Sequence, residues 1–236
     1  MFKKELEDLF GYLEKRNFKV LLHIPHASLK LPKRFYKNLL ISKELLNKYN
    51  LEMSDLFVNK LFEDVKCKKI IAKYSRLYCD VERFKDDKLE VMAKYGQGVV
   101  YTNTYDGIFF HKHNDKYKRK ILRYYDRYHN RLDRISKSIL DKGYNLLIID
   151  CHSFSDKIAS YICKGSFSDI CIGIEEEFFD QEIFDRIINI IKDKYSYAIN
   201  YPYRGSIIPN AIYNNKVKYK GKVISLMIEI NKRIYL

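Results

Sequence analysis

The chain has 236 residues, 47% hydrophobic and 31% charged, which supplies a sizeable core and excludes disorder as the main state. Lys and Arg number 44 against 30 Asp and Glu, a net charge of +14 that favours anionic partners. No apolar run approaches the ~18 residues of a membrane span, and acids occupy the N-terminal stretch where a secretion signal would be apolar, so a cytoplasmic protein is expected.

The cysteines (Cys67, Cys79, Cys151, Cys163 and Cys171) are odd in number and form no Cys-x-x-Cys pair, so reduced, mostly buried thiols are expected. Glycines number 9 and prolines 4, with no linker or repeat, and 1–236 reads as a single domain.

In chain order, Leu6, Leu9, Phe10 and Leu13 recur at threes and fours, which predicts an amphipathic helix over 3–15. Val20-Leu21-Leu22-His23-Ile24, stopped by Pro25, predicts a buried strand. A helix is expected over 54–65, with Ser54 as its N-cap and Leu61, Phe62 and Val65 inward. Residues 69–74 read as a strand. The span 116–140 carries the strongest helical periodicity, with Lys and Arg on its outer face. After Gly143, the run Leu146-Leu147-Ile148-Ile149 predicts a strand covered on both faces and ending in Asp150-Cys151-His152. Residues 170–174 predict a strand, 181–193 a helix and 223–230 a last strand. The alternation argues for an α/β fold with a mixed, mostly parallel sheet between helices, in three layers.

Ionisable residues end these apolar runs: His26, then Asp150 and His152, then Glu229. In open α/β sheets, ligand sites form beyond the carboxyl ends of strands. Two imidazoles and a carboxylate with an open position suit a catalytic zinc better than a structural one. Each histidine taken alone also reads as an ordinary surface or capping residue. Glu229 stands apart, because a charge inside Leu226-Met227-Ile228-Glu229-Ile230 is costly to bury unpaired. His23 reads as a core residue or one that supports the site, His129 as core or supporting, and His111 and His113 as solvated.

Eight segments in one order resemble the N-formylglutamate amidohydrolase family. They are Ile24-Pro25-His26-Ala27-Ser28, Ser54-Asp55-Leu56, the run from Ser75 to Arg83, Tyr128-His129, Asp150-Cys151-His152-Ser153, Ser168-Asp169-Ile170 with Gly173, Pro202-Tyr203-Arg204-Gly205, and Met227 to Asn231. The resemblance implies a fold like that of zinc carboxypeptidases and other phosphorylase/hydrolase-like proteins. It implies hydrolysis of the amide of an N-formyl or N-acyl amino acid, such as N-formylglutamate, with one zinc or another divalent metal per chain. The metal ligands it implies are His26, Asp55 and His152, with Glu229 as general base. Asp55, first after the presumed N-cap, would sit at the positive end of a helix dipole.

By the same resemblance Asp150 and Ser153 orient His152 and Asp80 is a further residue supporting the site, while Arg76, Arg83 and Arg204 handle the carboxylates of a small anionic acyl-amino-acid substrate. For Arg83, a structural pairing with Asp80 is the alternative. Where the family pattern runs Asp-x-Asn-Arg, this chain has Asp80-Val81-Glu82-Arg83, an added negative charge that disfavours a dicarboxylate or leaves a member that binds without catalysis. Ser206 stands where the family has a second glycine. A competing reading is a nucleic-acid module using Arg119, Arg123, Arg127, Arg131 and Arg134. A helix covering a sheet needs a polar outer face anyway, so no nucleic-acid or membrane partner is expected. The oligomeric state is left open.

Overall fold

The computed structural model describes residues 3–213 and 219–236, with side chains from Glu7 onward. Its elements are α1 (Lys3–Lys15), β1 (Phe18–Ile24), α2 (Lys43–Met53), α3 (Val58–Leu61), β2 (Lys68–Ile71), α4 (Asp115–Leu140), β3 (Asn145–Phe154), α5 (Asp156–Ala159), β4 (Ile170–Ile174), α6 (Gln181–Ile191), β5 (Tyr197–Ile199), α7 (Asn210–Tyr213) and β6 (Val223–Asn231). The six strands form one sheet in the order β2-β1-β3-β6-β4-β5. The pairs β1–β3, β3–β6 and β4–β5 are parallel, and β4 runs antiparallel to β6. The fold is α/β with a mixed, mostly parallel sheet, as the alternation predicted.

The chain divides into two compact units. The first comprises the segment up to His23, Val65–Ile70 and everything from Leu132 onward; the second comprises Ile24–Asp64 and Ile71–Arg131. In the first unit the central strands are apolar because both faces are covered. Leu21, Leu22, Leu146, Leu147, Ile148, Ile224 and Leu226 are all buried, each contributing about 1.5–3 kcal/mol relative to exposure. Leu9 and Leu13 of α1 are buried as their spacing predicted, while Leu6 precedes the described side chains. Gly143 takes a positive φ and donates its N–H to the carbonyl of Leu140, ending α4 with a turn that leads into β3.

The second unit packs Phe35, Leu46, Tyr78, Tyr101 and Phe110 into its interior. Here the helix expected over 54–65 is corrected. The long helix comes earlier, as α2, capped by Ser42, whose side chain accepts the Leu45 N–H. Ser54 is the C-cap of that helix, not the N-cap of the next. Phe57 then takes a left-handed conformation, and only the single turn α3 follows, with Leu61 exposed. The apolar residues of 54–65 therefore do not form one buried stripe. Asp55 accordingly follows a helix C-terminus and gains nothing from a positive dipole end.

The strand β3 also runs further than its apolar stretch. Asp150 and His152 lie inside it rather than past its end. Among the described residues the five thiols are free, with Cys79, Cys151 and Cys171 buried. Burial pushes the Cys79 and Cys151 thiols well up and Cys171 to about 11, which keeps them protonated and unreactive. No described helix is long and apolar enough to cross a membrane.

Candidate functional site

In a strand, residues two apart share a face, and register partners on neighbouring parallel strands share it too. His23 pairs with Asp150, Asp150 with Met227, and His152 with Glu229. These alternating positions therefore put His23, Asp150, His152 and Glu229 on one face of the first unit's sheet. All four are buried.

Asp150 organises the group. Its Oδ1 lies 2.7 Å from His23 Nδ1 and 3.0 Å from His152 Nε2, and its Oδ2 accepts the Ile207 N–H at 3.1 Å. An ionised carboxylate can only accept, so each of those ring nitrogens carries a proton. Burial alone would raise the Asp150 pKa, but the two imidazoles outweigh it and hold the carboxyl well below its usual range. Ser153, one residue on, leaves the opposite face of β3.

The segment 203–207 lies over this polar face. Cys171 Sγ donates to the Tyr203 carbonyl at 3.2 Å, and Ser225 Oγ donates to the Ile207 carbonyl at 2.8 Å. Gly173 makes the approach feasible: a Cβ there would overlap the Gly205 carbonyl oxygen and Met227. Arg204 projects from this segment and is exposed.

In the second unit the organising residue is Asp80, which is fully buried. Its Oδ1 receives His26 Nε2–H at 2.8 Å and the Glu82 N–H at 3.1 Å. Its Oδ2 receives Tyr101 Oη–H at 2.7 Å and Arg76 Nη2–H at 2.9 Å, with Arg83 Nε at 3.5 Å. Burial opposes ionisation, yet His26, Arg76 and Arg83 together hold the Asp80 carboxyl well below its usual range.

His26 is thus braced through Nε2 by a buried aspartate, in the same manner as His152. Its other nitrogen, Nδ1, lies 3.6 Å from Asp55 Oδ2 and 4.0 Å from Glu82 Oε2. The backbone ties the two ends, with Asp55 N–H donating to the His26 carbonyl at 3.0 Å. Burial and Arg76 oppose protonation of His26, but Asp80 and Asp55 prevail and its pKa lies above the ordinary value.

The sequence-predicted residues therefore gather by unit: Asp150, His152 and Glu229 in one, and His26, Asp55, Arg76, Asp80 and Arg83 in the other. The alternative pairing of Arg83 with Asp80 is present. His129 is a buried residue whose Nε2 donates to the Val81 carbonyl at 2.7 Å, which supports the loop carrying Asp80 and Glu82. The expectation for His111 is corrected. It is fully buried, stacked 4.4 Å from Phe35 with Nε2 donating to the Phe35 carbonyl, because the loop before α4 packs inward. His113 is partly buried. The five arginines of α4 are exposed, as a solvated helix face requires.

Sequence reasoning missed Tyr101, which sits in an unremarkable Val-Val-Tyr run, and the Ile207 backbone N–H, which no side-chain pattern can mark. It also missed Glu90, whose carboxylate accepts the N–H groups of Phe84 and Met92 and so holds the loop after Arg83.

Each unit supplies buried imidazoles in a tautomer set by an aspartate, with further carboxylates close by. Neutral imidazole nitrogen and carboxylate oxygen are the donor set of divalent transition metals, and an imidazole held by a carboxylate through its other nitrogen is the usual support of such a ligand. The residues present fit a divalent cation.

Fold and donor set define the class, an α/β protein with a mixed, mostly parallel sheet and a candidate site for a divalent cation. The family model for N-formylglutamate amidohydrolase matches residues 18–236, and the chain belongs to that family of amidohydrolases. Among solved structures, it is similar to the N-formylglutamate amidohydrolase of Ralstonia eutropha JMP134, with a TM-score of 0.72 and 19% identity, covering 92% of this chain and 82% of that one. It is also similar to a gene product of Agrobacterium tumefaciens, with a TM-score of 0.65 and 17% identity, over 93% and 82% of the two chains. At these identities the likeness shows the fold alone. No curated protein matches the chain.

Proposed function

We propose that the protein hydrolyses the amide of an N-formyl or N-acyl amino acid, such as N-formylglutamate, with the aid of a divalent cation for which His26 and Asp55 of the second unit and His152 of the first are the candidate ligands. The observation that carries this reading is the bracing of two histidines at Nε2 by buried aspartates, Asp80 for His26 and Asp150 for His152. In both rings the Nε2–H tautomer presents Nδ1 as the ligating atom. Zinc bound there would lower the pKa of water to about 7 and polarise the amide carbonyl.

The remaining work falls to the chain's own residues. Glu229, on the same sheet face as His152, is the general base: it takes the proton from the attacking water and returns it to the departing amine nitrogen. Asp150 and Asp80 hold their imidazoles in one tautomer and orientation. Arg76, Arg83 and Arg204 supply N–H donors to substrate carboxylates, and Arg204, being exposed, is the one not committed to Asp80.

The test is an assay of formate and amine release from a panel of N-formyl and N-acetyl amino acids, with and without a chelator. Equal yields of free amino acid and of the released acid, formate from N-formyl and acetate from N-acetyl members, lost on chelation and restored by zinc, are expected for the substrates that are cleaved. No hydrolysis of any member by the metal-loaded protein would overturn the reading.

A further inference from the structure

The position of Glu82 is set by the same atom that braces His26. Asp80 Oδ1 receives the Glu82 backbone N–H and the His26 Nε2–H, so the residue and the ring are referenced to one oxygen. The Glu82 side chain then reaches the opposite edge of the same imidazole. Its Oε2 lies 4.0 Å from His26 Nδ1, beside Asp55 Oδ2 at 3.6 Å.

Both distances exceed a hydrogen bond. They resemble the spacing between ligands that share an ion: bonds of about 2.0–2.2 Å in a tetrahedral set place donor atoms roughly 3.3 Å apart. Closing from the observed distances needs shifts of only tenths of an ångström. The charge arrangement agrees. Arg76 and Arg83 both approach Oδ2 of Asp80, whereas Asp55 and Glu82 bring two carboxylates to the Nδ1 edge of His26. Three carboxylates stand against two guanidiniums, which favours a cation at that edge.

We infer that Glu82 is itself a ligand of the cation, alongside His26 and Asp55. The inference deepens the metal-dependent reading above and rests on it. It gives residue 82 a binding role, where the sequence alone suggested a charge that merely repels substrate.

The experiment measures zinc affinity of metal-stripped protein by competition with a chromophoric chelator, for the wild type, Glu82→Gln and Glu82→Ala. Thermal unfolding of the stripped proteins checks that each variant is folded. The wild type is expected to take up about one zinc per chain, and both variants to bind it about 100-fold more weakly, at or beyond the effect of losing a group that merely supports a ligand. Wild-type affinity in a folded variant would overturn the role of Glu82 and leave the metal reading standing. A wild type that binds no zinc would overturn both.

Discussion

His152 and Glu229 are register partners on the adjacent parallel strands β3 and β6, so their side chains leave the sheet on the same face. This explains how a carboxylate comes to be buried in an otherwise apolar strand: the face beneath it is polar, lined by Asp150 and His152. Replacing Glu229 by Gln keeps shape and packing but removes the proton acceptor proposed above. The expected result is a fall in kcat of about two or more orders of magnitude with zinc content unchanged. Steady-state kinetics beside elemental analysis reads both, and near-normal turnover would take Glu229 out of the role.

Asp150→Asn tests the bracing. The amide cannot accept from His23, His152 and Ile207 as the carboxylate does, so one imidazole must turn or lose its tautomer. Zinc affinity should fall about 10–100-fold, and the stripped protein should lose about 2 kcal/mol or more. The pH dependence follows with a definite sign. A carboxyl whose folded pKa is depressed contributes stability above its unfolded pKa of about 3.9, and that contribution is lost as pH falls further toward the folded value. Urea unfolding between pH 6 and pH 2.5 should therefore bring the wild type down toward the variant, the gap narrowing only in the acid part of that range. A gap that stays constant down to pH 2.5 would contradict this.

The central strands and the long helix were legible because burial writes a pattern that needs no tertiary information. Leu146–Ile149 is a run no exposed strand would carry, and α4 repeats an apolar position every three or four residues. Asp150, His152 and Glu229 could be picked out because a charge in such a run needs a reason. The 54–65 region misled for an equally physical reason. Ser54 has the side chain of an N-cap, but capping depends on which side of it the helix lies, and the left-handed Phe57 carries no local sign. Asp80 was legible as a supporting acid and Arg83 as a partner for it, but the convergence of His26, Arg76 and Tyr101 on the same carboxylate was not, since Tyr101 reaches it from a loop whose path depends on packing.

His111 offers a second pH-dependent handle, remote in chemistry from the carboxylates. Burial lowers its pKa to about 4 despite the hydrogen bond to the Phe35 carbonyl. A histidine buried neutral must bind its proton on unfolding, so stability falls as pH drops from the unfolded pKa near 6.5 toward 4. The loss should be on the order of 2 kcal/mol. His113, lowered in the same direction by burial and Lys118, adds a slope of its own. Thermal unfolding from pH 7.5 to pH 4.5 should show a flatter profile for His111→Gln, which keeps a donor for the Phe35 carbonyl and the slope of His113. Parallel profiles would mean that His111 binds its proton equally well folded and unfolded, so that burial does not lower its pKa.

Gly173→Ala connects the sheet to the segment lying over it. The new Cβ would overlap the Gly205 carbonyl oxygen and Met227, so either the strand β4 or the 203–207 segment must move. The segment is the more yielding partner, since it is held to the sheet by only a few bonds, among them Cys171 to Tyr203, Ser225 to Ile207 and Ile207 to Asp150. Lifting it removes the Ile207 N–H from Asp150 Oδ2 and leaves that carboxylate with its imidazoles alone. Overpacking of this kind costs about 1–3 kcal/mol. Because the loss passes through Asp150, zinc affinity should fall along with stability, whereas Gly107→Ala, whose Cβ meets nothing, should lower stability through its positive φ and leave zinc affinity unchanged. If Gly173→Ala loses stability but binds zinc as the wild type does, the 203–207 segment does not support the aspartate in the way its hydrogen bond suggests.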